Sequence, residues 1–254
     1  MSSLKEQRQA IRPLLRERDA VDAMAAYYAF YHPDEKTTLV LWPEGAGEST
    51  GGRADGYVAL SRTGIDLFRP LVTMRLPTDR DTFATQAAAD LLHLAFASGQ
   101  PVILNVPARY RPIIAALFDI HSEEYLRLYA LDARQFEPVI NVLVTRTDGA
   151  NGLPHFTIRS SQNGKEEIVA SASLNWQSPR FGEIAVNTLS QYRRQGWGRS
   201  VVSALSNYLI ESGRTPLYVV SEENDASIHL AESLGFVDTG GRDLLLQATV
   251  NYRV

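Results

Sequence analysis

The chain has no cysteine among its 254 residues, which excludes disulfides, thiolate nucleophiles and cysteine-ligated metals. Its five histidines, His32, His93, His121, His155 and His229, show no paired spacing of the kind a zinc-binding helix carries, so no metal is expected. No apolar run approaches the ~20 residues that cross a bilayer, and the opening Met1-Ser2-Ser3-Leu4-Lys5-Glu6 is polar where a secretion signal would be apolar. A cytoplasmic protein with no membrane role is the expectation. Neither sign of charge dominates: the net charge is -4, with acidic and basic residues interspersed. No nucleic-acid partner is therefore expected, and any anion site must be local.

What is present describes an ordinary globular protein, with 44% hydrophobic and 21% charged residues and enough chain for two domains of modest size. An Ala-rich amphipathic run with Pro13 ahead of it predicts a helix from Leu14 to Tyr31. Short β-type runs follow at Thr37 to Trp42, Gly56 to Ser61 and Leu71 to Arg75, with a glycine-rich hairpin loop at Gly45 to Gly52. Thr82 to Ala97 and Arg111 to Phe118 read as helices, and Val102 to Val106 and Tyr125 to Leu131 as strands. Asp132 to Pro138 reads as the connection between halves.

The second half opens with the β-branched run Val139 to Thr145 and a turn-rich loop, Asp148 to Gly152. Strands are predicted at Phe156 to Ser160, Ile168 to Asn175, Gly182 to Leu189, Leu217 to Val220 and Leu244 to Val250. Val201, Val202, Leu205 and Leu209 recur at helical spacing, so Gly198 to Ser212 is a helix closed by Gly213, and Asp225 to Leu234 is another. A weak repeat links the halves. Ser98-Gly99-Gln100-Pro101-Val102-Ile103-Leu104 stands beside Ser212-Gly213-Arg214-Thr215-Pro216-Leu217-Tyr218-Val219, each after a helix and each followed by a strand and a short helix. A spacing above 100 residues is too long for a solenoid and points to a duplicated domain.

The chemically informative segment is the strand Gly182 to Leu189 running through Ser190-Gln191-Tyr192-Arg193-Arg194-Gln195-Gly196-Trp197-Gly198 into a helix. First-turn helix amides lack internal partners and carry the positive end of the helix dipole, so strand, glycine turn and helix together can hold a diphosphate. Arg193, Arg194 and Arg199 add local positive charge. Gly196 and Gly198 lack the following Lys-Ser/Thr of a P-loop and the third glycine of a dinucleotide fingerprint.

Arg193-x-x-Gly196-x-Gly198 resembles the R/Q-x-x-G-x-G/A fingerprint of the GNAT N-acyltransferase superfamily, and Asn224-Asp225-Ala226-Ser227 through Leu234-Gly235-Phe236 is similar to that family's N-x-x-A/S helix ending in G-F. The resemblance covers roughly Val139 to Val250. It implies an α+β, layered fold with a central mixed, mostly antiparallel twisted sheet flanked by helices, in tandem: a degenerate GNAT-like domain at 1–132, expected not to bind, and an N-acyltransferase domain at 133–254. It implies acetyl-CoA, or another acyl-CoA, as co-substrate and a small-molecule or peptide amine as acceptor.

The same resemblance places pantetheine against the backbone of Thr188 and Leu189 and the pyrophosphate on the amides from Arg194 through Gln195, Gly196, Trp197 and Gly198 to Arg199. A backbone amide near Leu189 would stabilise the oxyanion, and Asn224 and Ser227 would contact the cofactor. Asn224 also reads as the N-cap of the helix beginning at Asp225. Glu183 is the first candidate for the base, since strand alternation sets it on a face with Ala185 and Asn187; Glu222 and Glu223 are fallbacks. The family's usual acid, a tyrosine on the last helix, falls at Ala231. That departure keeps open a non-catalytic acyl-CoA-binding sensor or interaction module on the same fold.

Overall fold

A computed structural model describes residues 2–47, 52–64, 66–79, 82–149, 152–162 and 165–252. Of the glycine-rich loop expected at Gly45 to Gly52, residues 48–51 lie outside the described residues, as do 150–151 of the loop at Asp148 to Gly152. The chain divides into two compact units, residues 1–126 with 242–254 and residues 127–241.

The first unit begins with α1 (Leu4–Ile11), started by a capping box: the Glu6 amide donates to Ser3 Oγ, and the Ser3 amide donates to Glu6 Oε2 at 2.6 Å. The single helix expected from Leu14 to Tyr31 is replaced by short pieces. Arg12–Leu14 and Ala20–Asp22 are 3₁₀ turns, α2 (Ala23–Ala26) is one α-turn, and Tyr27–Tyr31 is a π-turn. Two short acidic side chains compete for the backbone and break the helix: Val21 N–H donates to Asp19 Oδ1 and Arg16 N–H to Asp22 Oδ2, both at 3.0 Å.

There follow β1 (Thr37–Trp42), β2 (Gly56–Ser61), β3 (Leu71–Arg75), the small hairpin of β4 (Thr78–Asp79) and β5 (Thr82–Phe83), α3 (Thr85–Ala95), β6 (Pro101–Pro107), α4 (Arg111–Leu117) and β7 (Phe118–Leu131). The helix predicted from Thr82 thus starts at Thr85, because its first residues form β5. The strands of β1 to β3 match their predicted bounds.

The second unit contains β8 (Thr145–Asp148), β9 (Pro154–Gln162), β10 (Lys165–Gln177), β11 (Phe181–Thr188), α5 (Trp197–Glu211), β12 (Thr215–Ser221), α6 (Asp225–Ser233) and the start of β13 (Phe236–Val250). Val139 to Thr145 is not a strand before Thr145. Val139 N–H donates to Ser203 Oγ at 2.8 Å and Asn141 Nδ2 to Ser200 Oγ at 3.1 Å, so this segment is strapped to α5 instead of entering a ladder.

The unit boundary also differs from the expected 132/133. β13 is cut at Gly241/Arg242, and its second part returns to the first unit, pairing Asp243 to Thr249 antiparallel with Pro107 to Pro101. Leu244, Leu246, Ala248 and Val250 are buried in that unit's core with Leu91, Leu92, Val102 and Leu104. Burial of this alternating apolar face is the physical reason for the exchange.

Strand order is β1-β2-β3-β6-β13-β7 in the first unit and β13-β7-β12-β11-β10-β9-β8 in the second. β3–β6 and β11–β12 pair in parallel, and the other hairpin neighbours antiparallel. The repeated order is explicit: α3-β6-α4-β7 in one half and α5-β12-α6-β13 in the other. In the second unit Val201, Val202, Leu205 and Leu209 of α5 pack on Ile158, Val169, Ala172, Leu174 and Ile184, fixing the helix to β9, β10 and β11.

Candidate functional site

β11 and β12 pair only from Phe181 to Glu183 against Thr215 to Leu217. Both strands continue, to Thr188 and Ser221, so they part beyond Glu183 and Leu217 and leave a fork with unpaired strand edges. The chain leaves the end of β11 through a 3₁₀ turn, Ser190–Tyr192, and enters α5 at Trp197.

Between them the backbone is left-handed twice, at Arg194 (φ 63°) and Gly196 (φ 78°). Glycine takes this conformation without penalty, whereas a side-chain-bearing residue such as Arg194 is held there at a cost of ~1–3 kcal/mol. The reversal aims the first amides of α5 back past the strand end. Ser200 N–H donates to Gly196 O at 3.0 Å, and the amides of Trp197, Gly198 and Arg199 precede it, without acceptors inside the helix. A 15-residue helix places the positive end of its dipole here. Gly198 permits close approach: a Cβ there would lie 3.0 Å from Thr188 Oγ1.

The side chains divide their roles differently from the sequence expectation. Arg193 Nε donates to Thr188 O at 3.2 Å, and Arg199 Nη2 donates to Ser233 O at 3.3 Å, so these two arginines tie the turn to β11 and to the end of α6. Arg194 and Gln195 are exposed. Trp197 stacks on Tyr192, with ring centroids 5.2 Å apart, and Tyr192 in turn donates to Glu167.

The amide of Leu189 itself donates to Val169 O at 3.0 Å, which extends the β10–β11 ladder by one bond and leaves that N–H engaged. Asn224 is the N-cap of α6, its Oδ1 accepting from Ser227 N–H at 3.1 Å. Burial raises the Tyr218 pKa on β12.

Glu183 is the last residue of β11 before the fork, and it is buried, only 6% exposed. Its carboxylate accepts from Asn175 Nδ2 at 2.6 Å and from the Trp176 indole N–H at 2.7 Å. It therefore does not lie on a solvated strand face. The two donors come from β10 at a register shift between Leu174 and Trp176, which sets adjacent residues toward the same carboxylate.

Neither Asn175 nor Trp176 was read from the sequence as part of the site. Counting back from the tight β10–β11 turn, where Ser178 N–H donates to Phe181 O, would have placed Trp176 opposite Glu183. Of the fallback carboxylates, Glu222 is ion-paired with Arg127 and Glu223 is exposed. Ala231 is fully buried in the core, and His229 is exposed with its ring against Asp225 O. Among the described residues no three His, Asp or Glu side chains converge on a possible metal site, and no helix is long and apolar enough to cross a membrane.

Residues 166–242 match the FR47-like protein family. No match is found among curated proteins. Among solved structures the chain is similar to a tandem GNAT protein from the clavulanic acid biosynthesis pathway, at 12% identity over 99% of this chain and 95% of that one, with a TM-score of 0.57. It is similar also to a GNAT-family acetyltransferase from Colwellia psychrerythraea, at 11% identity over 97% of each chain and a TM-score of 0.56. A GCN5-related N-acetyltransferase from Kribbella flavida matches at 16% identity over 76% of this chain and 86% of that one, with a TM-score of 0.54. At such identities the likeness is one of fold. The chain has the GNAT fold in tandem form, and its second unit carries the FR47-like segment.

Proposed function

We propose that the second unit is an acyl-CoA-dependent N-acyltransferase that moves an acetyl group from acetyl-CoA to a primary amine of a small molecule or peptide. One observation carries this reading: the left-handed turn at Arg194 and Gly196 delivers the amides of Trp197, Gly198 and Arg199 to the open end of the β11–β12 fork. A diphosphate on those amides would set a pantetheine arm along the unpaired edge of β11 toward Thr188, with the thioester near Glu183.

In this reading Glu183 removes a proton from the acceptor ammonium, directly or through water, because an ammonium has no lone pair with which to attack. The amine nitrogen then forms a bond to the thioester carbon, the carbon–sulfur bond breaks to release the thiolate, and the second proton passes from the nitrogen to solvent water, leaving the neutral amide. A thiol titrates near ~8.5, so the thiolate leaves without obligatory protonation, which suits a site with alanine at 231.

A second reading, a coenzyme A-binding module without transfer, is favoured by the engaged Leu189 amide and by the burial of Ala231 where the resemblance would have a tyrosine. Release of free thiol from acetyl-CoA across a panel of primary amines separates the two. Amine-dependent release supports transfer, and coenzyme binding with no release on any amine favours the module.

A further inference from the structure

The first unit contains a fork of its own, with different chemistry. β3 and β6 pair in parallel at Leu71 with Ile103 and at Val72 with Leu104, then part, although β3 runs to Arg75 and β6 to Pro107. Next in register on the two prongs are Thr73 and Asn105. Alternation turns both away from Val72, Met74, Leu104 and Val106, which belong to one core. They face the side that carries Tyr57 and Ala59 and is covered by Ile11, Ala25, Ala26 and Ala29.

Thr73 is 1% exposed and Asn105 7%, and neither Thr73 Oγ1 nor Asn105 Oδ1 has a hydrogen-bond partner. Tyr57 stands opposite Arg75 on the neighbouring strand, fully buried. Its hydroxyl likewise has no partner within hydrogen-bond distance. Buried polar atoms are ordinarily paired because stripping them of water is costly. Here two hydroxyls on one prong and its neighbour, and a carbonyl oxygen on the other prong, gather where the ladder opens.

The nearby charges cancel. Arg75 is ion-paired to Asp22 at 2.6 Å, a contact that also ties the helical cover to the sheet. Burial raises the pKa of Asp243, whose charged neighbours are Arg75, Asp22 and Arg109. A charged ligand would meet no unmatched countercharge. The orphaned set comprises two groups that can donate and one that only accepts, the complement of an amide.

We propose that this fork is a binding site for a small uncharged ligand held by an amide group, whose carbonyl accepts from the Tyr57 and Thr73 hydroxyls and whose N–H donates to Asn105 Oδ1. The site does not depend on acyl transfer by the second unit. An ordered water could satisfy the same atoms, and the test distinguishes the two occupants.

Saturation-transfer NMR on the full chain with N-methylacetamide, with acetate and methylammonium as charged comparators, provides that test. Transfer to N-methylacetamide is expected, weakened at least tenfold by Thr73→Val and by Tyr57→Phe, with the thermal midpoint of each variant maintained. Both substitutions remove a hydroxyl that has no partner, so neither threatens folding. Absence of transfer to the amide, equal transfer to acetate or methylammonium, or amide binding unchanged in both variants would overturn the proposal.

Discussion

Replacing Gly196 with aspartate should abolish tight coenzyme A binding while the protein remains folded. Nothing lies within 4 Å of a Cβ built at Gly196, so the new side chain causes no clash. Its cost is conformational, because φ is +78°, and amounts to roughly 1–2 kcal/mol, less for Asp than for most residues. An aspartate before the first turn of α5 also recovers part of this through the helix dipole. Against a diphosphate the effect is larger. At about 5 Å each pair of unit charges repels by about 0.8 kcal/mol in bulk water and about 3 kcal/mol at an effective dielectric near 20. With two negative charges on the ligand, even the lower value weakens binding by roughly tenfold. Calorimetric titration with coenzyme A of the wild type, Gly196→Asp and Gly196→Ala separates charge from strain, since alanine carries only the latter. The loss in Gly196→Asp should exceed that in Gly196→Ala by at least tenfold and shrink as salt is raised. Equal losses in both variants, or unchanged affinity in Gly196→Asp, would refute the placement of the phosphates.

Glu183→Gln should slow transfer by roughly 10²–10⁴-fold if Glu183 is the base, and should also destabilise the protein by ~1–3 kcal/mol, because an amide cannot accept from both Asn175 and Trp176 through oxygens. Denaturant titration beside single-turnover kinetics reports the two effects, and an unaltered rate removes Glu183 from the mechanism. Ala231→Tyr should destabilise by ~1–3 kcal/mol without accelerating transfer, since Ala231 is fully buried; a faster, stable variant would show that the position does face the reacting sulfur.

In the first unit, Asp22→Ala should cost ~3–5 kcal/mol near neutral pH by leaving the Arg75 guanidinium buried and unpaired. Burial alone would raise the Asp22 pKa, but Arg75 and Arg16 together hold it below 3.8. Its contribution is therefore complete above that value and fades as pH falls through the depressed one. Asp243 has the opposite sign. Burial raises its pKa above 3.8, so it favours the fold fully below that value and loses this as pH rises through the raised one. Asp243→Asn should accordingly gain thermal midpoint on the wild type at pH 7 but not at pH 3, and a constant difference across that range would contradict the assignment.

Much of the fold was legible because its signals are local. Apolar alternation located β1 to β3, helical recurrence of Val201, Val202, Leu205 and Leu209 located α5, and a glycine turn between strand and helix located the phosphate-binding candidate. The errors come from interactions that local pattern does not contain. Asp19 and Asp22 broke an otherwise good helical stretch by binding backbone amides, and Ser200 and Ser203 drew Val139 to Asn141 out of a strand that its composition favours. The return of residues 242–254 to the first unit depends on which apolar face β13 finds a partner for, a tertiary choice. At the site, the left-handed backbone followed from Gly196, whereas the clamp on Glu183 depended on a β-bulge in β10 that residue types alone do not announce.

Titration of the purified, coenzyme-free protein with acetyl-CoA by calorimetry tests the phosphate-site assignment, because among the described residues a glycine turn opens a helix beside a fork in the second unit and not in the first. Saturable binding of one equivalent per chain, lost in Gly196→Asp, is the expected result. No heat of binding from the folded protein, or one equivalent that Gly196→Asp leaves intact, would contradict it.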